Sequence, residues 1–159
     1  MNPDAAVTLT SGTITFNNLT LSPTITVART YTFGSGALTI DGNFNINPTA
    51  SSALALTVNM GAAITVAATK TTTITRTTSA TSNLDTTGTN YALSTGNLDI
   101  ATGGTLTANG STVTLTGTSG TLFTRTGTFT AGTSTVVMNP DAAATLTSGT
   151  ITFNNLTLS

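Results

Sequence analysis

The stretch GTLTANGSTV at positions 104–113 returns at positions 127–136 as GTFTAGTSTV. In both, Thr alternates with Leu, Phe or Val, and a group of small residues interrupts the alternation. A period of two sends apolar side chains to one side of an extended chain and hydroxyls to the other. Thr and Val are β-branched, so they lose side-chain freedom in a helix and pack well on a pleated sheet. Short strands thus recur at an interval too small to enclose a core. Such a unit buries its apolar side only against copies of itself above and below. The repeat therefore predicts an all-β chain wound as a parallel β-solenoid, or β-helix.

In that arrangement residues one coil apart are strand neighbours at roughly 4.8 Å. Leu106 should lie under Phe129, Val113 under Val136, and Leu115 under Met138, three apolar pairs in an interior column. Further alternating stretches occur at 13–16, 105–108, 112–116 and 128–131, separated by turn-forming DGN, NPT, ANGS and NPD. Following the glycine that opens the repeat gives landmarks at Gly12, Gly36, Gly61, a weaker one near Ser82, Gly104, Gly127 and Gly149. These bound six units of roughly 21–25 residues each, a length typical of one solenoid coil. A pair of immunoglobulin-like sandwiches has similar strand spacing but supplies no reason for so short a repeat.

A longer period overlies the short one. Positions 1–22, MNPDAAVTLTSGTITFNNLTLS, reappear at 138–159 with one change, Val7 against Ala144. Positions 1–137 therefore form one full period, and 138–159 begin the next. The two copies are expected to share one conformation, with Ile14 and Ile151 in the stacked core, six coils or about 29 Å apart along the axis. The Val-to-Ala difference points to a corner or the periphery. The ends read as cuts in an array, so the lack of a leader is no guide to compartment.

Thr supplies 44 of 159 residues, and nine residues are charged, with no Glu, His, Cys or Trp. Within positions 1–137, four Asp balance four Lys and Arg, which removes an electrostatic reason to bind nucleic acid or an acidic membrane. No apolar run reaches the ~18 residues that span a bilayer. Without Cys there is no disulfide frame or thiolate chemistry, and without His or Cys no transition-metal site is expected. The few Asp are far apart in sequence, and Asp4 and Asp41 stand in turn motifs, so no carboxylate pair for glycoside hydrolysis is expected. No cofactor is expected either. Arg76 and Asp99 stand one short repeat apart, but alternation turns Asp99 outward and Arg76 inward or to a corner. Asn18, Asn109 and Asn155 fit the Asn-x-Ser/Thr pattern, which abundant Thr also produces by chance.

GTLTANGSTVTLTGTSG, GTFTAGTSTVVMNPDAA and GTITFNNLTLS resemble the Thr-, Gly- and Asn-rich tandem repeats of very large bacterial surface proteins, of the filamentous-haemagglutinin and autotransporter-passenger kind. The resemblance covers essentially the whole chain. It implies a right-handed β-helix, secretion to the cell surface, and a non-enzymatic role as a structural stalk, fibre or adhesin. The partners expected are identical repeats joined end to end, with any cell-surface or host ligand carried elsewhere. A further resemblance, to the Thr-x-Thr surfaces of ice-binding solenoids, suggests one outward row of Thr13, Thr15, Thr39, Thr65, Thr105, Thr107, Thr128 and Thr130. Thr-x-Thr also occurs at Thr24, Thr73, Thr112 and Thr145, which that arrangement assigns to other faces.

Overall fold

The computed structural model describes residues 3–10 and 12–159; Met1, Asn2 and Ser11, all in the first copy of the duplicated segment, lie outside the described residues. The first turn consists of β1 (Val7–Leu9), β2 (Ile14–Phe16) and β3 (Leu19–Leu21). The second holds β4 (Arg29–Phe33), β5 (Leu38–Ile40) and β6 (Phe44–Ile46), followed by the short β7 (Thr49–Ala50). The third holds β8 (Ala55–Asn59), β9 (Ile64–Val66) and β10 (Thr71–Ile74), followed by β11 (Thr77–Thr78). The fourth is β12 (Thr81–Asp85), β13 (Leu93–Thr95) and β14 (Asn97–Ile100), and the fifth β15 (Gly104–Thr107), β16 (Thr112–Leu115) and β17 (Gly120–Arg125). In the sixth, β18 (Thr128–Thr130), β19 (Thr135–Met138) and β20 (Ala144–Thr147) follow, and β21 (Asn155–Leu158) lies beyond.

Strands of successive turns pair in parallel to form three faces. Face A is β1-β4-β8-β12-β15-β18, face B is β2-β5-β9-β13-β16-β19-β21, and face C is β3-β6-β10-β14-β17-β20. The chain is thus an all-β parallel β-solenoid of about six turns, with no helix among the described residues. Uniformly parallel pairing excludes the sandwich alternative, whose sheets are antiparallel.

Alternation within each short strand puts one residue out for every one or two in, and the inward ones stack. On face B, Ile14, Leu38, Ile64, Leu93, Val113 and Val136 form one continuous column. Leu106 pairs with Phe129, and Leu115 with Met138. Phe129 is half-buried where the other members of these pairs are buried. Three threonines also enter the interior: Thr72 of face C donates its hydroxyl to Thr95 Oγ1 of face B at 2.9 Å, Thr95 donates to the Asn97 carbonyl, and Thr86 donates to the Ala108 carbonyl at 2.9 Å. These three hydroxyls have partners, which removes most of the cost of their desolvation, whereas the buried hydroxyls of Ser111 and Ser134 have none.

Corners carry hydrogen bonds from turn to turn. Asn18 Oδ1 accepts the Asn43 amide at 2.8 Å, and Asn43 Oδ1 accepts the Thr71 amide at 3.0 Å. Between faces A and B, Asn109 and Gly132 both take positive φ, 49° and 55°. A Cβ at Gly132 would lie 2.3 Å from the Asn109 carbonyl oxygen one turn below, so the upper corner admits only glycine.

Two expectations are corrected. Turn length varies more than the near-even units of the short repeat imply: the turn from Ile64 to Leu93 is almost half as long again as that from Leu93 to Val113. More consequentially, the long period falls one face short of six turns. Val7–Leu9 is on face A, but its duplicate Ala144–Leu146 is on face C. Leu19–Leu21 is on face C, and Leu156–Leu158 on face B. Ile14 is in β2, whereas Ile151 stands in a segment outside any strand, so the middle blocks of the two copies differ while the outer two are strands in both. The cause is corner length. β7 and β11, with Thr24 of turn one bridged to Thr49 beneath them, form a small fourth side in turns one to three, and residues 86–92 make a long corner in turn four. These corners consume residues without adding a main face. The landmark series slips accordingly: Gly12, Gly36 and Gly61 precede face B, whereas Gly104 and Gly127 open strands of face A. Val7 lies opposite Tyr31 and Ala144 opposite Gly120, so the one substituted position faces unlike neighbours in its two settings.

Candidate functional site

The slip also divides the threonine row. Thr15, Thr39 and Thr65 form an outward column on face B, continued by Ser94 and Thr114 and interrupted by Val137 before Thr157. Thr105, Thr107, Thr128 and Thr130 belong to face A, and Thr13 lies exposed just before β2. The eight residues therefore occupy two faces instead of one. On face A the double row Thr30/Thr32, Thr57/Asn59, Asn83/Asp85, Thr105/Thr107, Thr128/Thr130 is broken at its middle by Asn83 and Asp85. Asn83 Oδ1 accepts the Thr107 hydroxyl at 2.9 Å, and Asp85 Oδ1 accepts the Asn109 side-chain amide at 2.8 Å. These groups serve the turn-to-turn lattice.

The carboxylates are dispersed as well. Asp85 points out from face A, Asp99 from face C, and Asp41 and Asp141 are exposed at corners four turns apart. Asp4 alone has a salt bridge among the described residues: Arg29 Nε donates to its Oδ1 at 2.9 Å, while Thr26 donates its hydroxyl to Oδ2 at 2.6 Å. Arg76 donates to the Ala80 carbonyl at 3.3 Å and lies against Gly103, apart from Asp99. Among the described residues there is no pocket, no cluster of three metal-ligating side chains, and no helix long and apolar enough to cross a membrane. Of the three sequons, Asn18 and Asn109 spend their side chains on neighbouring turns, and Asn155 is exposed on β21.

Asp4 and Asp99 make opposite contributions to acid stability. Hydrogen bonds from Thr26, then Arg29, hold Asp4 below the usual carboxylate range. Its stabilising effect is present above the ordinary value and is lost as pH falls through the folded one. Partial burial raises Asp99, so stability associated with it declines as pH rises through the ordinary value to the raised one. Asp4→Asn is expected to lower the melting temperature at pH 7 and have little effect at pH 2. Asp99→Asn should raise it at pH 7 and not at pH 2. Melting curves of both variants at the two pH values check the signs.

The remaining unusual surfaces are the two rims. At one, Val7, Leu9, Ile14 and Phe16 are half-buried although they face the core. At the other, Leu156 and Leu158 continue the interior columns of face B but are 42% and 73% exposed, because no strand lies above them. Beside them Phe153 packs on Phe129 and Phe123, with ring centroids 5.7 and 5.9 Å away. Arg125 fastens this rim by donating to the Gly127, Ser148 and Thr150 carbonyls. Sequence alone signals the Phe columns through their alternation with Thr. The Arg125 staple has no such signal, since its carbonyl partners carry no residue-type signature.

Compared with known proteins, the chain matches no family model, no curated protein and no solved structure. The class is defined by its architecture: a parallel β-solenoid with stacked apolar columns inside, in which outward Asn83, Asp85, Thr107 and Asn109 bond between turns.

Proposed function

We propose that this chain is a structural repeat of an extracellular bacterial fibre or cell-surface stalk, non-enzymatic and extended by continuous or head-to-tail β-stacking. The reading includes a right-handed coil and kinship with filamentous-haemagglutinin and autotransporter-passenger repeats, on the resemblance of the Thr-, Gly- and Asn-rich stretches. An adhesin whose ligand site lies in another part of the full protein fits the same architecture. The observation that carries the proposal is the uninterrupted parallel stacking of alike turns, in which one apolar column runs from Ile14 through Leu38, Ile64, Leu93 and Val113 to Val136. A strand edge above an apolar interior invites another strand. Sedimentation velocity and negative-stain microscopy over a hundredfold range of concentration supply the test. Rods that lengthen with concentration are expected; a monomer at every concentration would overturn stacking.

A further inference from the structure

We infer that Asn109–Gly110 is a latent deamidation site and that the long corner of turn four, residues 86–92, keeps it closed. The guard operates within one chain, so it stands apart from how copies assemble.

Asn followed by Gly is the pair most prone to this chemistry, because glycine has no side chain to crowd the attacking nitrogen. The Gly110 backbone nitrogen loses its proton to solvent and bonds to Asn109 Cγ; the Cγ–Nδ2 bond breaks, and Nδ2 takes up a proton and leaves as ammonia. Water then opens the succinimide at one of its two carbonyls to give Asp or isoaspartate. Asn109–Gly110 is the one Asn-Gly pair in the sequence. It stands at the corner between faces A and B, with Gly110 exposed to water. Solvent access alone would leave it reactive.

Hydrogen bonds to both neighbouring turns oppose ring closure. The Gly110 N–H donates to Asn90 Oδ1 at 2.8 Å, so the proton that must leave is held. From the turn above, the Thr133 N–H donates to the Asn109 carbonyl at 2.6 Å. Asn109 Nδ2 donates to Asp85 Oδ1 at 2.8 Å and to Thr86 Oγ1 at 3.2 Å, both in the turn below. Closing the ring swings the peptide plane between Asn109 and Gly110 about the Asn109 Cα–C bond, which carries the carbonyl oxygen and the Gly110 nitrogen together. The bonds to Thr133 and Asn90 must therefore break at once.

The extra length of the corner in turn four supplies Asn90. Its N–H donates to the Thr87 carbonyl at 3.0 Å and the Tyr91 N–H to the Thr86 carbonyl at 3.1 Å, so the corner folds back on itself. Thr87 has a φ of 62°, rare for a β-branched residue. Asp85 Oδ1 holds it there by accepting its N–H, and the Met60 carbonyl by accepting its hydroxyl. Such strain persists only where the surroundings over-determine it. Once begun, the reaction would undo its own guard: a carboxylate at position 109 would face the Asp85 carboxylate where an amide had bonded to it.

Peptide-mapping mass spectrometry can follow conversion at position 109 during incubation at neutral pH, with the chain folded and in concentrated urea. Conversion is expected to be roughly tenfold or more slower in the folded chain. Asn90→Gly tolerates the same positive φ but removes the acceptor, and should restore most of the rate seen in urea. Asn90→Asp keeps an acceptor and should stay slow. Thr89→Gly loosens the same corner without removing a guarding bond, and should stay slow as well. Circular dichroism melts show whether each variant is folded. Equal rates for the parent chain folded and in urea would overturn the guard, and so would an Asn90→Gly rate no faster than the parent's. A Thr89→Gly rate matching that of Asn90→Gly would overturn the role of Asn90 in favour of general rigidity. If Asn90→Gly does not fold, amide exchange in the parent decides: Gly110 should be protected although exposed, and free exchange there would overturn the inference.

Discussion

Val113→Asp should destabilise the solenoid by about 4 kcal/mol or more, the range found when an unpaired charge is forced into a core. Val113 is fully buried, with Leu93 below it and Val136 above. Neither neighbour in the column offers a donor; Thr72 and Thr95 are bonded to one another, and the buried, unpartnered hydroxyls of Ser111 and Ser134, two positions before Val113 and Val136, can offer a hydrogen bond but no compensating positive charge. The carboxylate must stay protonated at high cost or push its turn open. For a chain of this length the melting temperature should fall by roughly 10–15 °C. Because repeats contact only their neighbours, loss of protection against amide exchange should centre on β13, β16 and β19. Leu158→Asp, at the exposed rim, should shift the melting point by a degree or two. Equal effects of the two changes would refute the register that places Val113 between Leu93 and Val136.

Gly61→Ala should cost about 3 kcal/mol, toward the upper end for overpacking. A Cβ at Gly61 would sit 1.7 Å from the Phe33 carbonyl oxygen and 2.8 Å from its carbon, both backbone atoms of the turn below. A side chain could swing aside, but this carbonyl cannot, since it belongs to the corner joining faces A and B. The turns must separate locally, straining the β4–β8 and β5–β9 ladders on either side. Gly12→Ala makes the control, because a Cβ there meets nothing within 4 Å. Urea melts of the two variants should differ in midpoint with similar slopes. A Gly61→Ala midpoint within error of the parent would mean that the corner is looser than this geometry describes.

The class of fold was legible because its cause is local. Thr alternating with Leu, Val or Phe makes a strand with one dry side, and recurrence at so short an interval leaves stacking as the way to cover it. Leu106 and Phe129, Val113 and Val136, and Leu115 and Met138 pair as spacing alone would have them. Phase was not legible. Each block of the duplicated segment offers the same inward pattern, so faces A, B and C accept it equally well, and glycine opens corners of more than one kind. The count of faces depends on corner lengths between Gly61 and Gly104, where Thr71–Ile74, Thr77–Thr78 and Thr81–Asp85 follow closely and look alike in composition. One misplaced corner there moved Gly149 from the equivalent of Gly12 to the next face, and split the threonine row with it.

The small fourth side, in which Thr24, β7 and β11 stack, gives turns one to three a broader cross-section than the rest, lopsided toward one corner. A shaft whose broad section always pointed the same way would have unequal second moments of area and would bend preferentially in one plane. Beyond these turns the section loses its extra side. A bending load would therefore be taken up unequally along the shaft, with the plane of easiest bending set by the direction in which the fourth side points.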